Sequence, residues 1–239
     1  MKTSGGSDAA KRRAGESAVE AVDDGDVVGL GTGSTAAHAI RALGNRVDAG
    51  LDICGVATSF ASRELALDVG IPLIDLDEAV GPDAPGIDVA IDGADQVATD
   101  GTVDGAAIIK GGGAAHAREK LVDAAADRFL VVIDPSKEAD VLDRPVPIEV
   151  LSSGRGVVAR AVRAAEGDPT LRRAERKDGP VVTDNGNLVL DCEFGTITDP
   201  ASLATTLSST PGVVEHGLFV GLADEIHVGT DRGVRVEQL

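Results

Sequence analysis

Residues 26–43 read DVVGLGTGSTAAHAIRAL. The apolar run Val27-Val28-Gly29-Leu30 is too short for a helix and suits a buried strand. It runs into the glycine-rich turn Gly31-Thr32-Gly33-Ser34-Thr35, and then into a helical stretch that Gly44 stops. This order of strand, turn and helix sets the pattern for the first half of the chain. Upstream, residues 7 to about 22 read as a helix capped by Ser7 or Asp8. Downstream, residues 51–58 read as a strand, SFASRELALDVG (59–70) as a helix and IPLIDL (71–76) as a strand. Residues 87–91 form another apolar strand that ends at Asp92-Gly93-Ala94-Asp95. Lys110-Gly111-Gly112-Gly113 then precedes the helical AAHAREKLVDAAA (114–126) and the strand RFLVVID (128–134). The alternation predicts an α/β fold, a Rossmann-like and mostly parallel sheet with helices on both faces.

The pattern changes at Arg144-Pro145-Val146-Pro147. From there the chain reads as a strand (IEVL, 148–151), a helix (156–167), a strand (TLRRAER, 170–176), a hairpin (VVTDNGNLVLDC, 181–192), a helix (200–209) and a last strand after Pro211. Asn185-Gly186 is a strong hairpin-turn signal. The β-α-β-β-α-β order predicts a smaller ferredoxin-like α+β domain. The tail 217–239 reads as strands rejoining the first sheet. The expected domains are therefore 1–145 plus 217–239, Rossmann-like and catalytic, and 146–216, ferredoxin-like.

Composition bounds the function. The 239 residues carry 22 Lys+Arg against 40 Asp+Glu, a net charge of −18, which repels nucleic acid and anionic membranes. Aromatic residues make up 2% of the chain, with no Trp or Tyr, so the expected core is aliphatic and the chain lacks the rings that recognition by base stacking needs. Only six basic residues are lysine, and an acid-rich, lysine-poor chain resembles proteins of salt-loving organisms. An ordinary acidic cytosolic protein is the alternative. Cys54 and Cys192 make no disulfide framework and no zinc spacing, and the four histidines are scattered. The N-terminus lacks a signal-peptide core, and no apolar run approaches the ~18 residues of a membrane span. A soluble, cytoplasmic protein is expected.

Ligands of open α/β sheets bind beyond the carboxyl ends of the strands. Three segments fall there: residues 32–35, 92–95 and 110–113. Thr32, Gly33, Ser34 and Thr35 open a helix, and their amides and hydroxyls could wrap a phosphate. A plain helix cap is the other reading, and the stretch is neither a full dinucleotide fingerprint nor a Walker loop. Asp92 and Asp95 could hold sugar hydroxyls, move protons or bind a metal, or could form a solvated turn. Three successive glycines carry a large entropic cost and call for a backbone that approaches something closely. Glu119 falls in the second turn of a helix starting near Ala114. It and Arg118 could equally be solvated charges.

Taken together these segments are far more specific. IDGAD (91–95), IKGGGAA (109–115) with REK (118–120), and TGSTAAH (32–38) closely resemble type A ribose-5-phosphate isomerase. So do VVTDNGNLVLD (181–191), PGVVEHGLF (211–219), and the stretch from Asp134-Pro135-Ser136-Lys137 to Pro147-Ile148-Glu149-Val150. The resemblance covers roughly residues 8 to 235. Gln96 departs from it, standing where many members carry an acid, and is expected to alter charge near the site. The resemblance implies interconversion of D-ribose 5-phosphate and D-ribulose 5-phosphate through an enediolate, without metal or organic cofactor, by a homodimer or homotetramer. It implies Glu119 as the base, with Lys110 as partner of the enediolate oxygens. Asp92 would assist ring opening, and Asp95 would orient Lys110 or a hydroxyl. It places Thr32, Gly33, Ser34, Thr35, Lys137 and Lys11 at the phosphate, and Gly93, Ala94, Gly111, Gly112 and Gly113 against the sugar. A sugar-phosphate sensor would need a DNA-binding helix-turn-helix, for which the first 25 residues leave no room. An amino-sugar phosphate deaminase or coenzyme A transferase is opposed by the pairing of KGGG with REK.

The charge leads to a testable expectation. Surface carboxylates repel over a Debye length of ~30 Å at 0.01 M salt and ~3 Å at 1 M. Excluded salts also strengthen burial of an aliphatic core. The unfolding midpoint should therefore climb from ~0.05 M to ~1 M KCl, across which screening shortens that length. Thermal melts across that range check it, and a flat or falling midpoint refutes the salt-adapted reading.

Overall fold

The computed structural model describes residues 6–99, 103 and 105–239. The segment 1–5, where the first expected domain begins, lies outside the described residues. In chain order the elements begin with α1 (Asp8–Val19), β1 (Val27–Leu30), α2 (Ser34–Asp48), β2 (Cys54–Ala57), α3 (Phe60–Asp68), α4 (Leu76–Val80) and β3 (Ile87–Gly93). Next come β4 (Gln96–Ala98), β5 (Ala107–Ile109), α5 (His116–Ala125), β6 (Ala126–Ile133), β7 (Glu138–Ala139) and β8 (Val146–Val150). The chain ends with α6 (Arg155–Ala164), β9 (Asp168–Leu171), β10 (Leu188–Glu193), α7 (Pro200–Ser208), β11 (Val213–His216), β12 (Leu218–Val220), β13 (Glu225–Thr230) and β14 (Gly233–Gln238).

Two compact units divide the chain. The first takes residues 6–94, 118–138 and 222–239. Its six-stranded sheet runs β14-β13-β6-β3-β1-β2, parallel throughout except for the terminal hairpin of β13 and β14. β1 is buried at all four positions, as expected of a strand covered on both faces. Val28 and Leu30 pack with Ala14, Ala18, Ile40 and Leu43 of α1 and α2. Val27 packs with Val122 of α5 and Ala79 of α4. Burying one such Val, Leu or Ile contributes ~1.5–3 kcal/mol relative to leaving it exposed.

The second unit takes residues 95–117 and 139–221. β8, α6, β9, β10, α7 and β11 follow the ferredoxin-like order, and the antiparallel sheet runs β11-β8-β10-β9. A further sheet has the order β12-β5-β4-β7. Residues 95–117 and 139–145, read from the sequence with the first domain, fall in this unit because β4 pairs with β5 and β5 with β12. A buried carboxylate marks this unit. Glu149 of β8 is 0% exposed and accepts from Thr183 Oγ1 at 2.9 Å, Asn185 Nδ2 at 3.0 Å and Asn187 Nδ2 at 2.8 Å.

Several sequence expectations shift. IPLIDL forms a single parallel bridge, Gly55 to Leu73, before α4 takes over. The strand read at 170–176 lies earlier, at Asp168–Leu171, because Thr170 and Leu171 pair with Asp191 and Leu190 of β10. The turn at Asn185-Gly186 forms, with Gly186 at φ 83°. Its first arm is reduced to one bridge, Val182 to Leu188, since β10 finds its partners in β8 and β9. Of the tail, β13 and β14 do join the parallel sheet, but β12 pairs with β5 instead.

One buried polar cluster ties α1 to the first sheet. His227 of β13 is 4% exposed, its Nδ1 lies 3.0 Å from Ser17 Oγ, and its Nε2 lies 3.3 Å from Glu225 Oε2. Burial pushes the imidazole pKa down, although Glu225 works against that. Burial also pushes the Glu225 carboxyl up, but hydrogen bonds from Arg128 and Gln238 and the Arg128 charge hold it below its ordinary value. A lowered histidine pKa means that the unfolded chain binds more protons, so stability falls as pH drops below ~6.5. Glu225 acts in the same sense, nearer the ordinary carboxylate range. His227→Gln should flatten the fall of the unfolding midpoint between neutral pH and the carboxylate range. A slope identical to wild type would remove His227 as its source.

Candidate functional site

In the first unit the site begins where β1 ends. β1 and β3 pair in parallel with Leu30 opposite Ile91, which brings Asp92 beside the 31–35 turn. The Thr32 amide donates to Asp92 Oδ1 at 2.9 Å. A Cβ at Gly31 would stand 2.2 Å from Asp92 Cγ, so only glycine leaves room for this carboxylate. Asp92 is 0% exposed, which rules out a solvated acidic turn there. Gly33 caps α2 at φ 127°, ψ 177°, a conformation that favours glycine. Ser34 is exposed and Thr35 buried. Neither Thr58 nor Ser59 was singled out from the sequence. Thr58 Oγ1 donates to Leu30 O at 3.0 Å and lies 2.8 Å from Thr32 Oγ1, which donates to Ser59 Oγ at 2.7 Å. These hydroxyls come from the residues just after β2 and fix the threonine of the turn. Their signal was adjacency in the sheet, which a linear reading lacks.

The remaining positions of this unit are placed separately. Glu119 is 3% exposed and lies in the first turn of α5, not the second, because Ala114 at φ 61° cannot belong to the helix and His116 begins it. Its burial removes the reading of a solvated helix charge, and the helix dipole favours a carboxylate at that end. Lys137 is 7% exposed and ends a 3-10 turn, Pro135–Lys137, whose cap Asp134 accepts the Ser136 amide at 2.9 Å. Lys11 is half-buried on α1. Gly93 and Ala94 are half-buried at and just beyond the end of β3.

In the second unit the glycine turn is held from several sides. Lys110 is 1% exposed, its amide donates to Gly217 O at 2.9 Å, and its Nζ lies 5.2 Å from the centre of the Phe219 ring. A cation over a ring face is favourable by ~0.5–2 kcal/mol. Gly111 takes φ 102°, and a Cβ there would lie 2.8 Å from His116 Nδ1. Gly112 donates its amide to Asp95 Oδ2 at 2.7 Å, and a Cβ on it would lie 2.8 Å from Asp95 Oδ1. Gly113 is exposed. The closeness that the glycines serve in this unit is therefore to Asp95 and His116. His116 is 0% exposed, and its Nε2 accepts the Glu149 amide at 3.1 Å, which puts its proton on Nδ1.

Gln96 has a structural task. It is 5% exposed, donates Nε2 to Asp143 Oδ1 at 2.7 Å and accepts the Asp143 and Arg144 amides at 2.9 and 3.0 Å. A carboxylate could take over the two accepted bonds but not the donated one. Among the described residues, no group of three or more His, Cys, Asp or Glu is arranged to hold a metal ion. Among them, no helix is long and apolar enough to cross a membrane.

Comparison with known proteins covers nearly all of the chain. Residues 54–233 match the family model of ribose 5-phosphate isomerase A (phosphoriboisomerase A). Ribose-5-phosphate isomerase A of Halorubrum lacusprofundi is 79% identical over 237 residues, 99% of each chain. The structure of ribose 5-phosphate isomerase A from Methanocaldococcus jannaschii is 42% identical, with a TM-score of 0.88 over 96% of this chain and 98% of that one. A D-ribose-5-phosphate isomerase in complex with phospho-erythronic acid is 38% identical, with a TM-score of 0.89 over 96% and 98%.

Gln96→Glu should destabilise the fold, because it sets a carboxylate against Asp143 and removes the donor between them. Loss of one buried hydrogen bond costs ~1–3 kcal/mol. Urea unfolding midpoints measure it, and an unchanged midpoint would show that the Gln96–Asp143 pairing contributes nothing.

Proposed function

We propose, because the chain belongs to the ribose 5-phosphate isomerase A family, that it interconverts D-ribose 5-phosphate and D-ribulose 5-phosphate. The observation that carries the reading is the burial of Glu119, 3% exposed in the first turn of α5 and directly after the glycine turn in sequence. An aldose–ketose isomerisation moves a proton between C2 and C1. From aldose to ketose, Glu119 takes the C2 proton, the electron pair passes into a cis-enediolate whose charge rests on O1, the same carboxyl returns the proton to C1, and the O2 hydroxyl proton passes to O1 as the C2 carbonyl forms. A positioned group of this kind is worth ~10²–10⁴ in rate.

The other roles fall to the remaining residues of the resemblance. Lys110 supplies positive charge to the enediolate oxygens, where electrostatic stabilisation counts most. Its burial beside Phe219 supports this, since a cation is more effective away from water. Asp92 assists ring opening. Asp95 orients a substrate hydroxyl or Lys110, and its bond to the Gly112 amide holds its carboxylate in one orientation. The phosphate falls to the amides and hydroxyls of Thr32, Gly33, Ser34 and Thr35, with Lys137 and Lys11 adding charge. The fixed Thr32 hydroxyl and the cap of the Lys137 turn favour these assignments. A cytoplasmic homodimer or homotetramer belongs to the same proposal, and a solution mass measurement decides the number of copies.

Ribulose 5-phosphate appearing from ribose 5-phosphate tests the activity. Glu119→Gln should leave substrate affinity nearly intact while turnover falls at least ~10²-fold. Near-wild-type turnover would take the base role away from Glu119.

A further inference from the structure

Arg172 follows β9 and was not singled out by any motif. Its side chain is 10% exposed. Its Nε donates to Asp191 Oδ2 at 2.9 Å, and Nη2 pairs with Asp191 Oδ1. The remaining arm, Nη1, donates to Gly111 O at 2.8 Å and to Gly112 O at 3.3 Å. One guanidinium is thus fixed by a carboxylate of β10 and holds two successive carbonyls of the glycine turn.

A trans peptide is planar, so fixing its carbonyl also fixes the amide of the next residue, which points the opposite way. Holding Gly111 C=O therefore aims the Gly112 N–H, and that amide meets Asp95 Oδ2 at 2.7 Å. Holding Gly112 C=O aims the Gly113 N–H away from Arg172. Glycines have the widest backbone freedom of any residue, so such a turn keeps one orientation only where something outside it imposes one. The planar fork of arginine suits this task, because two of its three nitrogens are used for Asp191 and the third for the turn.

We propose that Arg172, held by Asp191, is a positioning residue of the isomerase. It presets the amides of the 111–113 turn and, through the Gly112 N–H, the Asp95 carboxylate. This rests on the isomerase reading above, and it identifies what keeps the turn in a reactive orientation. Arg172 touches no reacting atom in this account. It acts through the backbone that it clamps.

The experiment compares wild type, Arg172→Ala, Arg172→Lys and Asp191→Asn, with ribose 5-phosphate turnover and hydrogen exchange at the Gly112 amide as parallel readouts. In folded Arg172→Ala, kcat should fall about 10²-fold, the scale expected when a reacting group is misplaced by about an ångström. KM should move much less, and exchange at Gly112 should quicken. Guanidinium added below denaturing concentration should restore part of kcat, whereas an equal concentration of KCl should not. Arg172→Lys should recover little, since an ammonium cannot bridge two carbonyls and a carboxylate in one plane. Should Arg172→Ala fail to fold, Asp191→Asn, which loosens the fork while keeping its shape, carries the same expectations for kcat and exchange. Unchanged turnover and unchanged Gly112 exchange in a folded variant overturn the proposal. If wild type itself forms no ribulose 5-phosphate, the isomerase reading has failed, and the positioning role in catalysis is overturned with it.

Discussion

The first unit depends on the parallel pairing of β1 with β3 and on the carboxylate that this pairing delivers. Asp92 sits at the end of β3 with no exposed surface, accepts the Thr32 amide and occupies the space that any side chain at position 31 would need. A buried carboxylate is costly unless hydrogen bonds compensate it. The register of Leu30 against Ile91 supplies that compensation and also sets the 31–35 turn over the strand ends. A slip of one residue in β3 would turn Asp92 to the other face of the sheet and leave the turn without its anchor.

The second unit solves a related problem differently. A run of glycines has no side chains with which to fix itself, so its neighbours must do so. Asp95 takes one amide, His116 fills the space beside Gly111, and Arg172 takes two carbonyls. His116 is in turn held through the Glu149 amide. Lys110, at the head of this turn, is among the most completely buried large side chains of the chain. Order in the turn is therefore a property of its surroundings.

Much of this was legible in the sequence because it is local. Apolar runs of four or five residues became β1, β3 and β6, and the β-α-β-β-α-β succession emerged as the four-stranded antiparallel sheet. The motifs at strand ends carried the family. What stayed hidden was decided by partners remote in sequence. IPLIDL has strand composition, yet its only ladder contact is one bridge at a sheet edge. Leu218–Val220 looks like its tail neighbours but is claimed by β5. Gln96 reads as a missing acid beside a catalytic motif until Asp143 and Arg144 fold over it. Arg172 and Thr58 have no motif at all, because their meaning lies in carbonyls and hydroxyls that other segments bring to them.

The Glu149 cluster bears on how the fold responds to salt. Exposed pairs such as Arg12 with Glu16, at 55% and 47% side-chain exposure, lose most of their attraction when ions crowd the surface. Among the described residues, neutral groups hold Glu149. Two amide side chains and a hydroxyl hold its carboxylate where it has no exposed surface, and buried groups are screened far less than exposed ones. Neutral dipoles leave salt little to screen, so this fastening of the 183–187 turn to β8 depends on ionic strength less than an exposed ion pair does. A chain of net charge −18 thus carries an internal joint that dissolved ions screen little.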